Sequence, residues 1–151
     1  MVETTRRDGG SKEMGLFTAT PAYAHCDLFC GVYDPAQAKI EALSVLKTIE
    51  KYHASDDDHF RARAIAVKEA RAEDVKHHLM VLWADFFTAD HRQQFPQLDD
   101  LFWRAIKGAG DAKKSLDAGV AQNLLALIDE IAGIFWQTEK AQGMGVYRPA
   151  S

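Results

Sequence analysis

The sequence predicts an all-α protein, an antiparallel up-down four-helix bundle. Four segments carry apolar residues at the spacing of an amphipathic helix, and short polar links separate them. No alternating apolar and polar pattern of useful length favours a strand. The chain has 151 residues, of which 47% are hydrophobic and 26% charged, and this composition is typical of one folded domain.

The first helix is predicted from Pro35 to about Tyr52. Asp34 can cap its N-terminus, and Pro35 suits the first helical position. Gln37 stands where a capping box has an amide. The apolar positions that follow at helical spacing are Ile40, Leu43, Leu46 and Ile49.

The second helix is predicted over residues 60–87. It follows an acidic turn at residues 56–58, and negative charge favours a helix N-terminus. Its apolar stripe comprises Phe60, Ala64, Val67, Val75, Leu79, Leu82 and Phe86. Residues 88–96 are predicted to be a connection without a helix of their own.

The last two helices are predicted near residues 98–106 and 118–140. The third has Leu98, Leu101, Phe102 and Ala105 on one side. Gly108 and Gly110 are expected to end it. The fourth has an inward face comprising Val120, Leu124, Leu127, Ile128, Ile131 and Phe135. Residues 142–151 are expected to form a flexible C-terminal tail.

Charge and cysteine content exclude several classes of function. The net charge of −4 argues against binding to a nucleic-acid backbone, which requires a basic face. No uninterrupted apolar run reaches the roughly 18 residues of a membrane span. We therefore expect neither nucleic acid nor a membrane as a partner. The chain has two cysteines, Cys26 and Cys30, too few for a disulfide framework.

The N-terminal segment, residues 1–24, shows neither helical nor strand periodicity and is predicted to be flexible. It is either a disordered tail or a removable leader. Residues 22–24 read Ala-Tyr-Ala, an A-x-A cleavage signature, and the arginine pair at residues 6–7 faintly resembles a twin-arginine signal. The short apolar run fits a pro-peptide better than an export signal. We expect a cytoplasmic protein, with export as the alternative, and cleavage would make His25 the N-terminus.

Residue types that ligate metals follow this cleavage signature directly. The C-x3-C spacing of Cys26 and Cys30 differs from the C-x2-C of zinc and redox motifs, and no second Cys or His pair stands at zinc-finger spacing. With His25 as the N-terminus, the segment offers an α-amine, the Cys26 amide, two thiolates and an imidazole. A planar set of two nitrogens and two sulfurs favours Ni(II) or Cu(II) over zinc. The imidazole could then approach axially.

Residues 25–35, which read His-Cys-Asp-Leu-Phe-Cys-Gly-Val-Tyr-Asp-Pro, closely resemble the nickel hook of the nickel superoxide dismutases, H-C-x-x-P-C-G-x-Y. The resemblance continues to Glu41, returns within residues 67–83 and at residues 134–136, and covers about residues 25–141. It implies a homohexamer of four-helix bundles, made with a leader that a protease removes. The mature domain would be residues 25–141, with the hook at residues 25–33.

The resemblance also implies the activity and the residues that perform it. Superoxide would be converted to dioxygen and hydrogen peroxide by Ni(II)/Ni(III) cycling, with one nickel ion per subunit. The side-chain ligands would be His25, Cys26 and Cys30. Asp27 and Tyr33 would lie by the substrate approach. Glu41 and Arg71 would hold the axial imidazole, and such outer partners orient a ligand and tune the metal.

Two positions depart from the family pattern. Phe29 replaces the proline of the hook. Because a non-proline cis peptide bond costs about 2.5–4 kcal/mol, the hook is expected either to take a different turn or to be less preorganised. Phe86 lacks the hydroxyl that relatives often carry. Two other functions remain open at this point: a nickel carrier without turnover, and a thiol redox protein that uses Cys26 and Cys30.

The remaining histidines and tryptophans are assigned structural roles. His77 and His78 point about 100° apart on a helix, which argues against a metal pair and favours a core or interface role. The other three are expected at the surface: His53, His59 and His91. Core or oligomer contacts are expected for Trp83, Phe86, Phe102, Trp103 and Trp136.

Overall fold

A computed structural model describes residues 31–142, and every regular element in that range is helical. The helices are α1 (Ala36–His53), α2 (Asp58–Val81), α3 (Ala89–Gln94), α4 (Leu98–Lys114), α5 (Ala118–Phe135) and α6 (Glu139–Gln142). Each of the four long helices packs against two others, in the order α1, α2, α4, α5 and back to α1. This arrangement confirms the predicted four-helix bundle. The predicted leader, most of the hook and the tail beyond Gln142 lie outside the described residues.

Helix α1 begins where the sequence predicts it. The Ala36 amide donates a 2.8 Å hydrogen bond to Asp34 Oδ1, so Asp34 caps the first turn as expected. The buried face consists of Ala36, Ala38, Ala42, Val45, Leu46 and Ile49. The expectation that Ile40 faces the core is wrong, because its side chain is 38% exposed. Small alanines face the neighbouring helices instead.

Helix α2 begins at Asp58, where Asp57 accepts a 3.0 Å hydrogen bond from the His59 amide. Two members of its predicted stripe are wrongly placed, since Phe60 is 38% and Val67 49% exposed. A π-helical turn, Leu82–Phe86, ends the helix. The turn shifts the helical register, and it leaves Phe86 fully buried as predicted.

Lys68 of α2 is a buried cation that the stripe did not predict. Its side chain is 2% exposed, and its Nζ donates to the carbonyls of Ala112 (3.1 Å), Lys113 (2.6 Å) and Ser115 (2.8 Å). These carbonyls belong to the C-terminal turn of α4, where a cation complements the helix dipole. Burial lowers the pKa of Lys68, and the Glu69 carboxylate partly opposes that shift.

The links between helices differ from prediction in three places. The 88–96 connection contains α3, whose first turn is closed by a capping box between Thr88 and His91. Gly108 and Gly110 do not end α4, which continues to Lys114. Helix α5 ends at Phe135 rather than near residue 140, and α6 follows it.

The aromatic residues occupy different environments. Phe86 and Phe102 are buried in the core, and Trp83 and Trp136 pack partly buried against it. Trp103 is 62% exposed, so it does not belong to the core of the single chain. His53 and His59 are exposed as predicted, whereas His91 is half-buried.

Among the described residues, α5 alone has the length and composition that would allow a membrane crossing, with a mean hydropathy of 1.4 over 18 residues. A helix in the core of a bundle has the same properties. Leu124, Ile128 and Ile131 of α5 are buried between neighbouring helices, which accounts for its apolar character.

Candidate metal centre

Tyr33 anchors the chain to the bundle just before α1. Gly31 has a φ of 60°, the left-handed conformation that favours glycine. Two residues later the Tyr33 side chain is 5% exposed, with its ring centroid 5.8 Å from that of Phe86 in an edge-on contact. The predicted hook therefore joins the bundle at a fixed point, at the end where α2 terminates.

Tyr33 packs against an aromatic cluster of the core. The Phe86 ring packs on Phe135 at 4.2 Å between centroids and on Phe87 at 5.0 Å. Aromatic pairs at such separations stabilise a core beyond the area that they bury. The Nζ of Lys140 lies 5.2 Å from the Tyr33 centroid and 4.8 Å from the Phe86 centroid. Sequence reasoning did not select Lys140, because its position carries no periodic or motif signal.

Glu41 and Arg71, the two residues that the family resemblance assigns to the axial imidazole, form an ion pair between helices. Arg71 Nη1 donates a 3.0 Å hydrogen bond to Glu41 Oε2, joining α2 to α1. Arg71 Nη2 lies 3.0 Å from Asp74 Oδ2 on its own helix. The Glu41 side chain is 18% exposed and that of Arg71 is 39% exposed. A pair that is held in this way can orient a neighbouring ligand.

The predicted ligands His25, Cys26 and Cys30 lie outside the described residues, as does Asp27. Within residues 31–142, no group of three or more His, Cys, Asp or Glu side chains could hold a metal ion. Every cysteine of the chain precedes residue 31, and His25 is the one histidine outside the described range. Sulfur ligands for a soft or borderline metal must therefore come from the segment that leads into Tyr33.

A helical bundle whose two cysteines both precede its first helix fits the class of helical-bundle metalloproteins. Comparison with known proteins identifies the family within that class. The family described as nickel-containing superoxide dismutase matches residues 20–139 of this chain. This chain belongs to the nickel-containing superoxide dismutase family. It is an oxidoreductase that dismutates superoxide, and its cofactor is nickel.

Relatives and solved structures agree with this family. Superoxide dismutase [Ni] of Streptomyces seoulensis is 52% identical over 118 residues, which cover 78% of this chain and 90% of the relative. Superoxide dismutase [Ni] of Streptomyces coelicolor is 50% identical over 118 residues, which again cover 78% of this chain and 90% of the relative. A native nickel superoxide dismutase structure aligns with a TM-score of 0.73 and 49% identity, covering 75% of this chain and 97% of that chain. The fold and the sequence therefore identify the same family.

Proposed function

We propose that nickel is bound by a hook formed from His25, Cys26 and Cys30, one ion per subunit. One observation carries this proposal: all thiols of this nickel enzyme precede residue 31, and the described residues hold no alternative cluster of ligands. The donor set comprises the α-amine and imidazole of His25, the Cys26 amide and two thiolates. Nitrogen and thiolate donors fit nickel, because soft thiolate ligands bind nickel better than they bind hard cations.

The reaction consumes two superoxide ions and two protons and yields dioxygen and hydrogen peroxide. Nickel held by His25, Cys26 and Cys30 would supply one-electron chemistry between Ni(II) and Ni(III). The first superoxide gives up one electron and leaves as dioxygen. The second accepts one electron and two protons and leaves as hydrogen peroxide. The protein must therefore admit a small anion and deliver protons without binding the substrate strongly.

The chain's own residues divide this work. Tyr33 and Asp27 lie by the substrate approach, where the Tyr33 hydroxyl can order water. Glu41 holds the His25 imidazole, and Arg71 fixes the Glu41 carboxylate through their 3.0 Å contact. The buried position of Tyr33 against Phe86 supports its role, because a rigid aromatic at the root of the hook limits the positions available to Cys30.

Processing and assembly complete the proposal. Residues 1–24 are a leader, and a protease removes them to expose the His25 amine. The mature domain spans residues 25–141 and acts in the cytoplasm as a homohexamer. Large apolar side chains on the surface of the single chain support assembly, namely Val32, Ile40, Phe60, Val67, Met80 and Trp103. Subunit contacts would remove such side chains from water.

The decisive experiment compares a chain that begins at His25 with the full chain from Met1. Both are loaded with nickel under reducing conditions, and superoxide decay is measured by pulse radiolysis. We expect rapid decay and a rhombic Ni(III) electron paramagnetic resonance signal from the His25 chain alone. Equal activity of the uncleaved chain would refute the role of the free amine.

Two matched variants test whether the cysteine thiolates bind the nickel that turnover requires. Cys26→Ser and Cys30→Ser each remove one sulfur and keep the length of the hook. Both should lose nickel-dependent turnover, whereas the helix content measured by circular dichroism should remain. A carrier without turnover would bind nickel and leave superoxide decay unchanged. A thiol redox protein would work without nickel.

A further inference from the structure

Lys140 holds its ammonium above the two aromatic rings at the root of the hook. The Nζ lies 5.2 Å from the Tyr33 ring centroid and 4.8 Å from that of Phe86. Both rings are buried, whereas Lys140 itself is exposed to solvent. The lysine therefore places a positive charge between bulk water and the point where the hook joins the bundle.

The segment that carries Lys140 is pinned to the bundle on both sides. Thr138 is 1% exposed, and its Oγ1 donates a 2.8 Å hydrogen bond to the Phe135 carbonyl. Ala141 is fully buried, and its amide donates to the Thr138 carbonyl at 3.1 Å. Because Thr138 and Ala141 are fixed, the backbone of Lys140 is more restricted in position than that of a lysine on a free tail.

The charge of Lys140 is not consumed by an ion pair within the described part of the chain. The ion pairs among residues 31–142 involve other lysines and arginines. An aromatic face attracts a cation without neutralising its charge. The field of Lys140 therefore extends into the solvent beside Tyr33, where an anion can sense it.

We propose that Lys140 is a steering residue for superoxide: its ammonium raises the local concentration of the anionic substrate at the substrate approach beside Tyr33. This inference rests on the proposed function, because it requires that superoxide approach past Tyr33. A cationic group at an entrance accelerates the association of an anion, and salt weakens the effect. At 0.15 M ionic strength the Debye length is about 8 Å, so the steering is strongest at low salt.

The simpler explanation is that Lys140 only packs its methylene groups and charge on the rings. A purely structural lysine would alter stability without altering the salt dependence of the rate. The slope of kcat/KM against ionic strength therefore distinguishes the two roles. Three variants are needed: Lys140→Met, Lys140→Arg and the control Lys107→Met. Lys107 is an apt control, because its Nζ also lies over an aromatic ring, that of Trp103, at 5.9 Å.

The variants are made in the nickel-loaded chain that begins at His25, and kcat/KM is measured by pulse radiolysis from low salt to about 0.3 M. We expect K140M to lower kcat/KM about threefold at low salt and to flatten its decline with salt. K140R should keep both values, and K107M should match the parent chain.

Three results would overturn the steering role. The first is an unchanged salt slope in K140M, and the second is an equal loss of rate in K140R and K140M. The third is a loss of nickel from K140M, which would make Lys140 a structural residue. Failure of the proposed function is visible separately, because the parent chain would then show no nickel-dependent turnover before any variant is compared.

Discussion

Arg71 on α2 and Glu41 on α1 form an ion pair across the bundle, with 3.0 Å between Nη1 and Oε2. The second guanidinium nitrogen of Arg71 binds Asp74 at 3.0 Å, one helical turn further along α2. Arg71 is thus held by two carboxylates from different helices. The planar fork of an arginine suits this arrangement, and it fixes the Glu41 carboxylate between α1 and α2.

Removal of the Arg71 guanidinium is predicted to lower turnover without preventing nickel binding. In Arg71→Met the Glu41 carboxylate loses its interhelical partner, so the His25 imidazole is held less firmly. Loss of an outer partner of a metal ligand costs about 10- to 100-fold in activity or metal affinity. The measurement is kcat from pulse radiolysis at full nickel occupancy.

Asp74→Asn is the matched control, because it removes the carboxylate on the other side of the same guanidinium. It should retain most of the activity, since the contact between Arg71 and Glu41 remains. Full activity of R71M would contradict the proposed role of the pair.

The family resemblance assigned Glu41 and Arg71 to the axial imidazole, but neither it nor helical spacing predicted the contact between them. Thirty positions separate the two residues, and an amphipathic pattern does not reveal which residue of α2 faces Glu41. The antiparallel turn between α1 and α2 decides it, because the link of residues 54–57 sets the register of the two helices. The predicted hook rests on its ligand chemistry together with the family resemblance, because no periodic pattern predicts its course.

Lys68, one helical turn before Arg71 on α2, is predicted to be a major stabilising contact between α2 and the C-terminal turn of α4. Lys68→Met removes the donor that serves three carbonyls of the C-terminal turn of α4. Hydrogen bonds to a charged group and buried carbonyls left without a donor together suggest a loss of about 2–3 kcal/mol. In a protein of this size the Tm should fall by about 5–10 °C.

Thermal unfolding of the nickel-free chain measures this effect. Lys47→Met is the control, because Lys47 is exposed and its ion pair with Glu50 is a surface contact. A K68M variant as stable as K47M would show that the three contacts do not contribute.

The errors of the sequence prediction have physical causes. A helix in a ring of four meets two neighbours, so its buried face is wide, and alanines can fill it as well as large residues do. For this reason Ala38 and Ala42 are buried while Ile40 is half-exposed. Lys68 interrupts the apolar stripe because its charge is satisfied by a helix end that lies 44 residues away along the chain. Such a partner is visible only after folding.

Glu73 provides a prediction about pH. Lys113 lies 3.0 Å from its carboxylate and lowers the pKa of Glu73 below 4.5, first by a hydrogen bond and then by charge. The folded protein therefore binds this proton less tightly than the unfolded chain. The pair contributes stability above pH 4.5, and the contribution is lost as the pH falls through the folded pKa.

Carbon-13 chemical shifts of the Glu73 carboxyl, followed against pH, measure this pKa directly. Lys113→Met should move the midpoint upward toward 4.5, because both the hydrogen bond and the charge are removed. Lys47→Met removes an equal charge elsewhere and should leave the midpoint unchanged. A midpoint of 4.5 or higher in the parent chain would refute the assigned cause.

Two glycines are predicted to respond differently to substitution by alanine. Gly110 lies inside α4, and a Cβ placed there meets no atom within 4 Å. Alanine is favoured over glycine in a helix interior by about 0.8–1 kcal/mol, so Gly110→Ala should raise the Tm. A lower Tm in G110A would show that the space is occupied in the assembled protein.

Gly31 differs from Gly110 in its backbone rather than in its surroundings. A Cβ there also meets nothing within 4 Å, yet its φ of 60° disfavours every other residue. Alanine in the left-handed region costs about 1–2 kcal/mol. Because Gly31 precedes α1, the nickel-free chain can relax and its Tm should hardly change in Gly31→Ala. If nickel loading by the proposed hook requires the left-handed backbone at Gly31, the affinity for nickel should fall at least about fivefold, the equivalent of 1 kcal/mol. Competition with a chelator measures that affinity, and equal values for G31A and the parent chain would exclude a backbone role for Gly31 in the hook.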